Sequence, residues 1–145
     1  MSLADGTTQQ LTNKPTHNTH VSPDGKWLLC RYRDPEPGKP LWRTALIPLT
    51  KSEGISAPER LFELPRYGGS PRLRWMPDGK AFSFVDWKDG IANVWIQPLA
   101  GDEPRQATFF DSGSIYSFDW SPDASRLVVS HGNPIGDAVL ITNFR

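Results

Sequence analysis

The chain has 145 residues, 16 Lys and Arg against 16 Asp and Glu, and a hydrophobic share of 37% that includes six Trp, seven Phe and three Tyr. A chain of this length and apolar content is expected to form one domain with a core rather than stay disordered. The balanced charge leaves no basic footprint for nucleic acid, and no run of about 18 apolar residues offers a membrane span.

Fourteen Pro and twelve Gly are scattered along the chain, so no amphipathic run of helical length survives and an all-β fold is expected. Taken in order, Thr7–Thr12 is the first strand-like segment and Thr16–Val21 the next. The turn Ser22-Pro23-Asp24-Gly25-Lys26 then leads into the apolar run Trp27–Tyr32. A Pro-rich loop, Asp34–Pro40, separates that run from Thr44–Leu49, and Pro58–Leu64 follows.

The same order then repeats. Met76-Pro77-Asp78-Gly79-Lys80 leads into Ala81–Asp86, a loop at Asp86–Gly90, the run Asn93–Leu99 and the short Pro104–Thr108. Ser121-Pro122-Asp123-Ala124-Ser125 leads into Arg126–His131 and, downstream, Ala138–Phe144. The three turn aspartates are 54 and 45 residues apart. Self-similarity at that period is the signature of a repeat architecture with one supersecondary unit per repeat. Four short strands per unit, bounded by Pro, Gly and Asp, fit a propeller blade.

The expected fold is therefore an all-β propeller fragment of three four-stranded antiparallel blades, at about 16–64, 70–108 and 115–144. The turn chemistry agrees. Pro sets φ at the second position, Asp accepts local backbone hydrogen bonds, and Gly supplies a positive φ for a bulged hairpin. Ala124 breaks that rule, and a positive φ there would strain the backbone. Leu28, Cys30, Trp75, Phe82, Phe84, Trp95, Trp120, Leu127, Val129 and Leu140 recur at equivalent positions with period two and are expected in the core.

The phase of the repeats predicts an assembly. The chain opens with an outermost strand at 7–12 and ends with a third strand at 138–144, and three blades cannot close a ring. Reciprocal exchange of the 7–12 strand under two-fold symmetry would give a homodimer with six blades.

The residues also carry a family resemblance. Phe118-Asp119-Trp120-Ser121-Pro122-Asp123, and Asn93-Val94-Trp95-Ile96 through Pro104-Arg105-Gln106-Ala107-Thr108, are similar to the TolB-type, WD-repeat-like propeller blade. The ending Val139-Leu140-Ile141-Thr142-Asn143-Phe144-Arg145 resembles the C-terminus of bacterial serine/threonine protein kinases that carry such a propeller. That resemblance implies a sensor or interaction domain in a periplasmic or extracytoplasmic setting. No Gly-rich phosphate loop, His-Arg-Asp or Asp-Phe-Gly is present, so phosphoryl transfer is not expected of this chain. The first repeat departs from the pattern, because Val21 stands where the others have Trp75 and Trp120.

Candidate chemistry is sparse. Cys30, the single cysteine, reads as a small core residue rather than a nucleophile. His17 and His20 fall on an innermost strand, where a spacing of three puts them on opposite faces, against a shared metal site. Asp86 and Asp89 suit a solvated turn better than acid–base work. Trp42 and Trp87 could offer a sugar or peptide an aromatic surface. Arg60, Arg66, Arg72, Arg74 and Lys80 interleave with Glu59, Glu63 and Asp78 and read as a mixed solvated face. No Gly-x-Ser-x-Gly occurs.

The reading that follows is a non-catalytic binding scaffold without catalytic residues, cofactor or metal, and with its ligand unknown. The competing reading is the propeller part of an enzyme, polysaccharide lyase-like or peptidase-associated.

Overall fold

The computed structural model describes residues 8, 10–49, 57–64 and 72–133. These residues are all-β without a helix and form three antiparallel sheets of four, four and two strands. The first sheet runs in chain order through β1 (Thr16–Val21), β2 (Trp27–Arg33), β3 (Trp42–Pro48) and β4 (Arg60–Phe62). The second runs through β5 (Arg74–Trp75), β6 (Ala81–Lys88), β7 (Ile91–Pro98) and β8 (Arg105–Gln106). The third pairs β9 (Ser114–Trp120) with β10 (Leu127–Gly132). The segment Ala138–Phe144, Leu140 included, lies outside the described residues, as do parts of 7–12; Leu11 and Thr12 are in no strand.

Each β1–β2-type hairpin closes on the same turn. The amide of Gly25 donates to the Ser22 carbonyl at 2.9 Å, that of Gly79 to Met76 at 2.9 Å and that of Ala124 to Ser121 at 2.8 Å. The turn carboxylates add a second layer, accepting from the amides of Lys26, Lys80 and Ser125 at 3.1, 2.9 and 3.1 Å. Ser22 and Ser121 also donate their hydroxyls to Asp24 and Asp123 at 2.6 Å, a bond Met76 cannot make.

These bonds hold the Asp123 carboxyl down at about 2, the Ser121 hydroxyl first and the Ser125 amide next, and lower Asp24 in the same direction. A carboxylate with a lower pKa folded than unfolded stabilises the fold above its unfolded value and loses that contribution as the pH falls through the folded one. At the third turn that contribution is lost as the pH falls toward about 2.

Both faces of the inner sheets are apolar, and the sheets pack in series. Leu29, Leu46 and Phe62 of the first sheet meet Phe82 and Phe84 of the second in one buried cluster, with Leu64 and Leu73. Val85, Ala92 and Val94, on the other side of the second sheet, meet Ile115 and Phe118 of the third, with Leu127 and Val129 against them. Leu28, Cys30, Tyr32, Ala45 and Ile47 form the remaining cluster, on the far face of the first sheet. Of the expected core, Leu28, Cys30, Phe82 and Phe84 are buried. Trp75, Trp95, Trp120, Leu127 and Val129 are half-buried instead. The Trp75 and Trp120 indoles sit at the joints between sheets, and β10 has a single neighbour among the described strands.

Those two indoles tie the sheets together. Trp75 Nε1 donates to the His20 carbonyl at 3.0 Å. Trp120 Nε1 donates to Ser83 Oγ at 2.9 Å, and that hydroxyl reaches the Arg74 carbonyl at 3.3 Å. His20 and Arg74 each stand four residues before their turn aspartate, so the second joint repeats the first with one hydroxyl inserted. Val21 holds the tryptophan position in the first sheet and is 57% exposed.

The Pro-rich connection Asp34–Leu41 carries the extra length of the first repeat and is pinned by Arg43, which pairs with Asp34 and, at 2.8 Å, with Glu36. In the second sheet the same connection is two residues, Asp89 and Gly90, at φ 54° and 81°. Positive φ at both positions is the turn geometry that matches strand twist. The chain returns from β8 to β9 through a segment held by Asn93, whose Oδ1 accepts from the Phe110 amide at 2.8 Å and the Thr108 hydroxyl at 3.0 Å.

Phe84 is fully buried and packs with Phe82, whose ring meets Phe62 edge-on at 5.1 Å. Phe84→Ala is expected to cost about 3–5 kcal/mol in denaturant unfolding; a loss under about 1 kcal/mol would place Phe84 outside the joint. Ala124 has φ 57°, in the region where Gly25 and Gly79 sit at 72° and 68°. Relief of that strain, less the greater freedom of Gly in the unfolded chain, should make Ala124→Gly stabilising by about 0.5–1 kcal/mol in the same assay.

Candidate functional site

The first strands of the two four-stranded sheets, β1 and β5, border a concavity of about 570 Å³ lined by Asn18, Thr19, His20, Arg72, Leu73, Arg74 and Trp87. Its walls are repeat-equivalent. Asn18 and Arg72 stand six residues before their turn aspartates, Thr19 and Leu73 five, His20 and Arg74 four. Trp87 comes from the far end of β6 and is half-buried.

A bulge shapes the β1 wall. His17 pairs with Arg31 and His20 with Leu29, so two residues, Asn18 and Thr19, stand against Cys30 alone. Asn18 takes φ 53° to allow it. Cross-strand partners share a face, and Arg31 and Leu29 are two apart on β2. The expectation that His17 and His20 point to opposite faces is therefore corrected: the bulge restores both to one face. His17 is exposed and packs its ring against Trp42, centroids 4.6 Å apart. His20 is half-buried at the concavity.

The field at His20 reports its neighbours. Burial lowers its pKa most, Arg74 lowers it further, and Asp119 opposes both. Asp119 also stands four residues before its turn aspartate. Arg74 and Asp119, at the same repeat position in the other two sheets, are thus the charges that act on His20, and the net shift favours its neutral form. Arg74 is held by donating from Nη1 to the Leu73 carbonyl at 2.8 Å and lies 5.9 Å over the Phe118 ring.

The other candidates sort differently. Cys30 is fully buried and burial pushes its thiol up to about 11, so at neutral pH it is a protonated core group without nucleophilic character. Asp86 is buried, a correction to the solvated turn expected for it, because β6 runs on to Lys88 before the chain turns at Asp89. Asp86 borders a second hollow of about 250 Å³ together with Asp89, Asn93, Trp95 and Gln106. Among the described residues no group of three His, Cys, Asp or Glu could hold a metal ion. No helix among them is long and apolar enough to cross a membrane.

The basic cluster of the sequence is divided. Arg60 donates to the Leu99 carbonyl and lies over Phe62, while Arg72 and Arg74 turn to the concavity; Arg66 lies outside the described residues. Alignment on the turn aspartates was the signal that could have placed Arg72 and Arg74 beside Asn18 and His20. No family model matches the chain, and no curated protein matches it.

The depressed His20 pKa has a sign that can be checked. Its folded pKa lies below the unfolded value, so the chain loses stability as the pH drops below about 6.5 and the imidazole must charge. Arg74→Gln removes one of the two lowering causes. NMR titration of the His20 ring should show its pKa rise in that variant, and an unchanged value would remove Arg74 from the site.

Proposed function

We propose that the chain forms three blades of a β-propeller and serves as a binding scaffold with no catalytic role. The observation that carries this is that equivalent residues of the first two sheets, His20 with Arg74 and Asn18 with Arg72, line one concavity. In a propeller the innermost strand of every blade faces one axis, so equivalent residues of successive blades converge there. The serial packing of the sheets supports the same reading, as do the indole ties at two successive joints. The fully buried, protonated Cys30 favours binding over thiol catalysis. The blade pattern favours the TolB-type class, and the C-terminal residues suit a sensor or interaction part of a bacterial kinase-like protein working outside the cytoplasm.

The assembly that fits is a homodimer closing one six-bladed ring. At the joint between the second and third sheets, the residue three before the turn aspartate, Trp120, meets the residue five after the preceding one, Ser83. Trp75 and Leu29, in the same two positions, share the cluster of the other joint. At the ends of the stack those positions hold Val21 and Val128, exposed at 57% and 71%. Two-fold symmetry brings Val21 of one copy to Val128 of its partner twice over, which covers both apolar ends. Sedimentation equilibrium should give a dimer of the intact chain and a folded monomer of Val128→Asp. An intact chain that sediments as a well-behaved monomer would overturn the closed ring.

A further inference from the structure

We propose that the concavity between β1 and β5 binds a small organic monoanion, a carboxylate with an apolar or aromatic group beside it. This rests on the scaffold reading and adds a ligand class to it.

The charge is the first argument. Three cations elsewhere meet carboxylates: Arg43 meets Asp34 and Glu36, Lys39 meets Glu63 at 2.6 Å, and Lys26 meets Asp24 at 3.7 Å. Among the described residues, neither Arg72 nor Arg74 has a carboxylate within 4 Å, although both line one hollow. Two guanidiniums lining one hollow suit an anion, because planar N–H forks match a carboxylate edge.

Preorganisation is the second argument. Arg74 does not need to be ordered by a ligand, since its Nη1 bond to the Leu73 carbonyl and the Phe118 ring beneath it already fix its plane. His20, Asn18 and Thr19 bring polar groups to the opposite wall.

The remaining wall selects the rest of the ligand. Trp87 is half-buried and gives the hollow an aromatic side next to its charged one. A volume of about 570 Å³ holds a small molecule rather than a lone ion. An acid with an aromatic body therefore uses both sides of the hollow, which inorganic phosphate cannot. The acid can come as a free aryl acid or as the end of a peptide chain.

The test is an NMR titration of the intact chain, read at the Trp87 indole N–H, with four probes. Phenylacetate should shift that signal saturably. Benzylamine, the cation with the same ring, should not, and inorganic phosphate should bind at least about tenfold more weakly. A short peptide ending in a free Phe carboxylate assigns the source: tighter binding than phenylacetate marks a chain end, weaker binding a free acid, and both keep the class.

Arg72 is exposed, so Arg72→Gln should leave the fold intact and weaken phenylacetate about tenfold, the loss of one charge-assisted hydrogen bond. Lys80→Gln, a charge control on the turn, should change nothing. The proposal falls if phenylacetate leaves Trp87 unshifted, if benzylamine or phosphate binds as well, or if Arg72→Gln binds unchanged. Sedimentation of the same samples keeps the two claims apart: an intact dimer that ignores phenylacetate refutes the ligand class alone.

Discussion

The packing of one sheet face on the next is the constraint on which the rest depends. Neither joint could be closed by alternating polar and apolar residues, because the second sheet has to be apolar on both sides. Phe82 and Phe84 serve the first joint and Val85 and Val94 the second, so β6 reads as an almost continuous apolar run. Non-directional packing would let such faces slide. The Trp75 and Trp120 indole bonds add direction, since each fixes where an inner strand crosses the sheet before it. With the crossing fixed, β1 and β5 are held so that His20 and Arg74 line one concavity.

The turns are the second layer of control. A slip of one residue in any hairpin would exchange the two faces of a sheet and put Ser83 where Phe84 belongs. All three turns make the same closing bond and the same carboxylate-to-amide bond, so register is set locally before the joints form. Ala124 shows how strongly the turn is specified: the chain accepts φ 57° at a residue with a Cβ rather than change the turn.

Much of this was legible in the sequence because turns and strand runs are local. Pro-Asp-Gly, with Ala for Gly in the third repeat, followed by apolar runs located β2, β6 and β10, and the spacing of the aspartates gave the repeat. What the sequence hid depends on contacts between segments. The bulge at Asn18 is invisible without the partner strand, and it reversed the faces expected of His17 and His20. Asp86 was expected in a solvated turn, but β6 extends past it and buries it. Arg72 and Arg74 were hidden among neighbouring acids in the chain, since adjacency in sequence said nothing about the side of the strand on which each charge emerges. The binding role proposed for the concavity follows from the placement of Arg72 and Arg74 on one hollow.

Hydrogen–deuterium exchange of the six indole N–H groups, followed by NMR, tests the serial joints most directly. Trp75 and Trp120, which bond to the preceding sheet, should exchange as slowly as the central strand amides and lose that protection only in global unfolding. If the two indoles exchange at the rate of a free tryptophan while the amides of β6 stay protected, the sheets are not tied in series and the account of the fold and of its concavity fails.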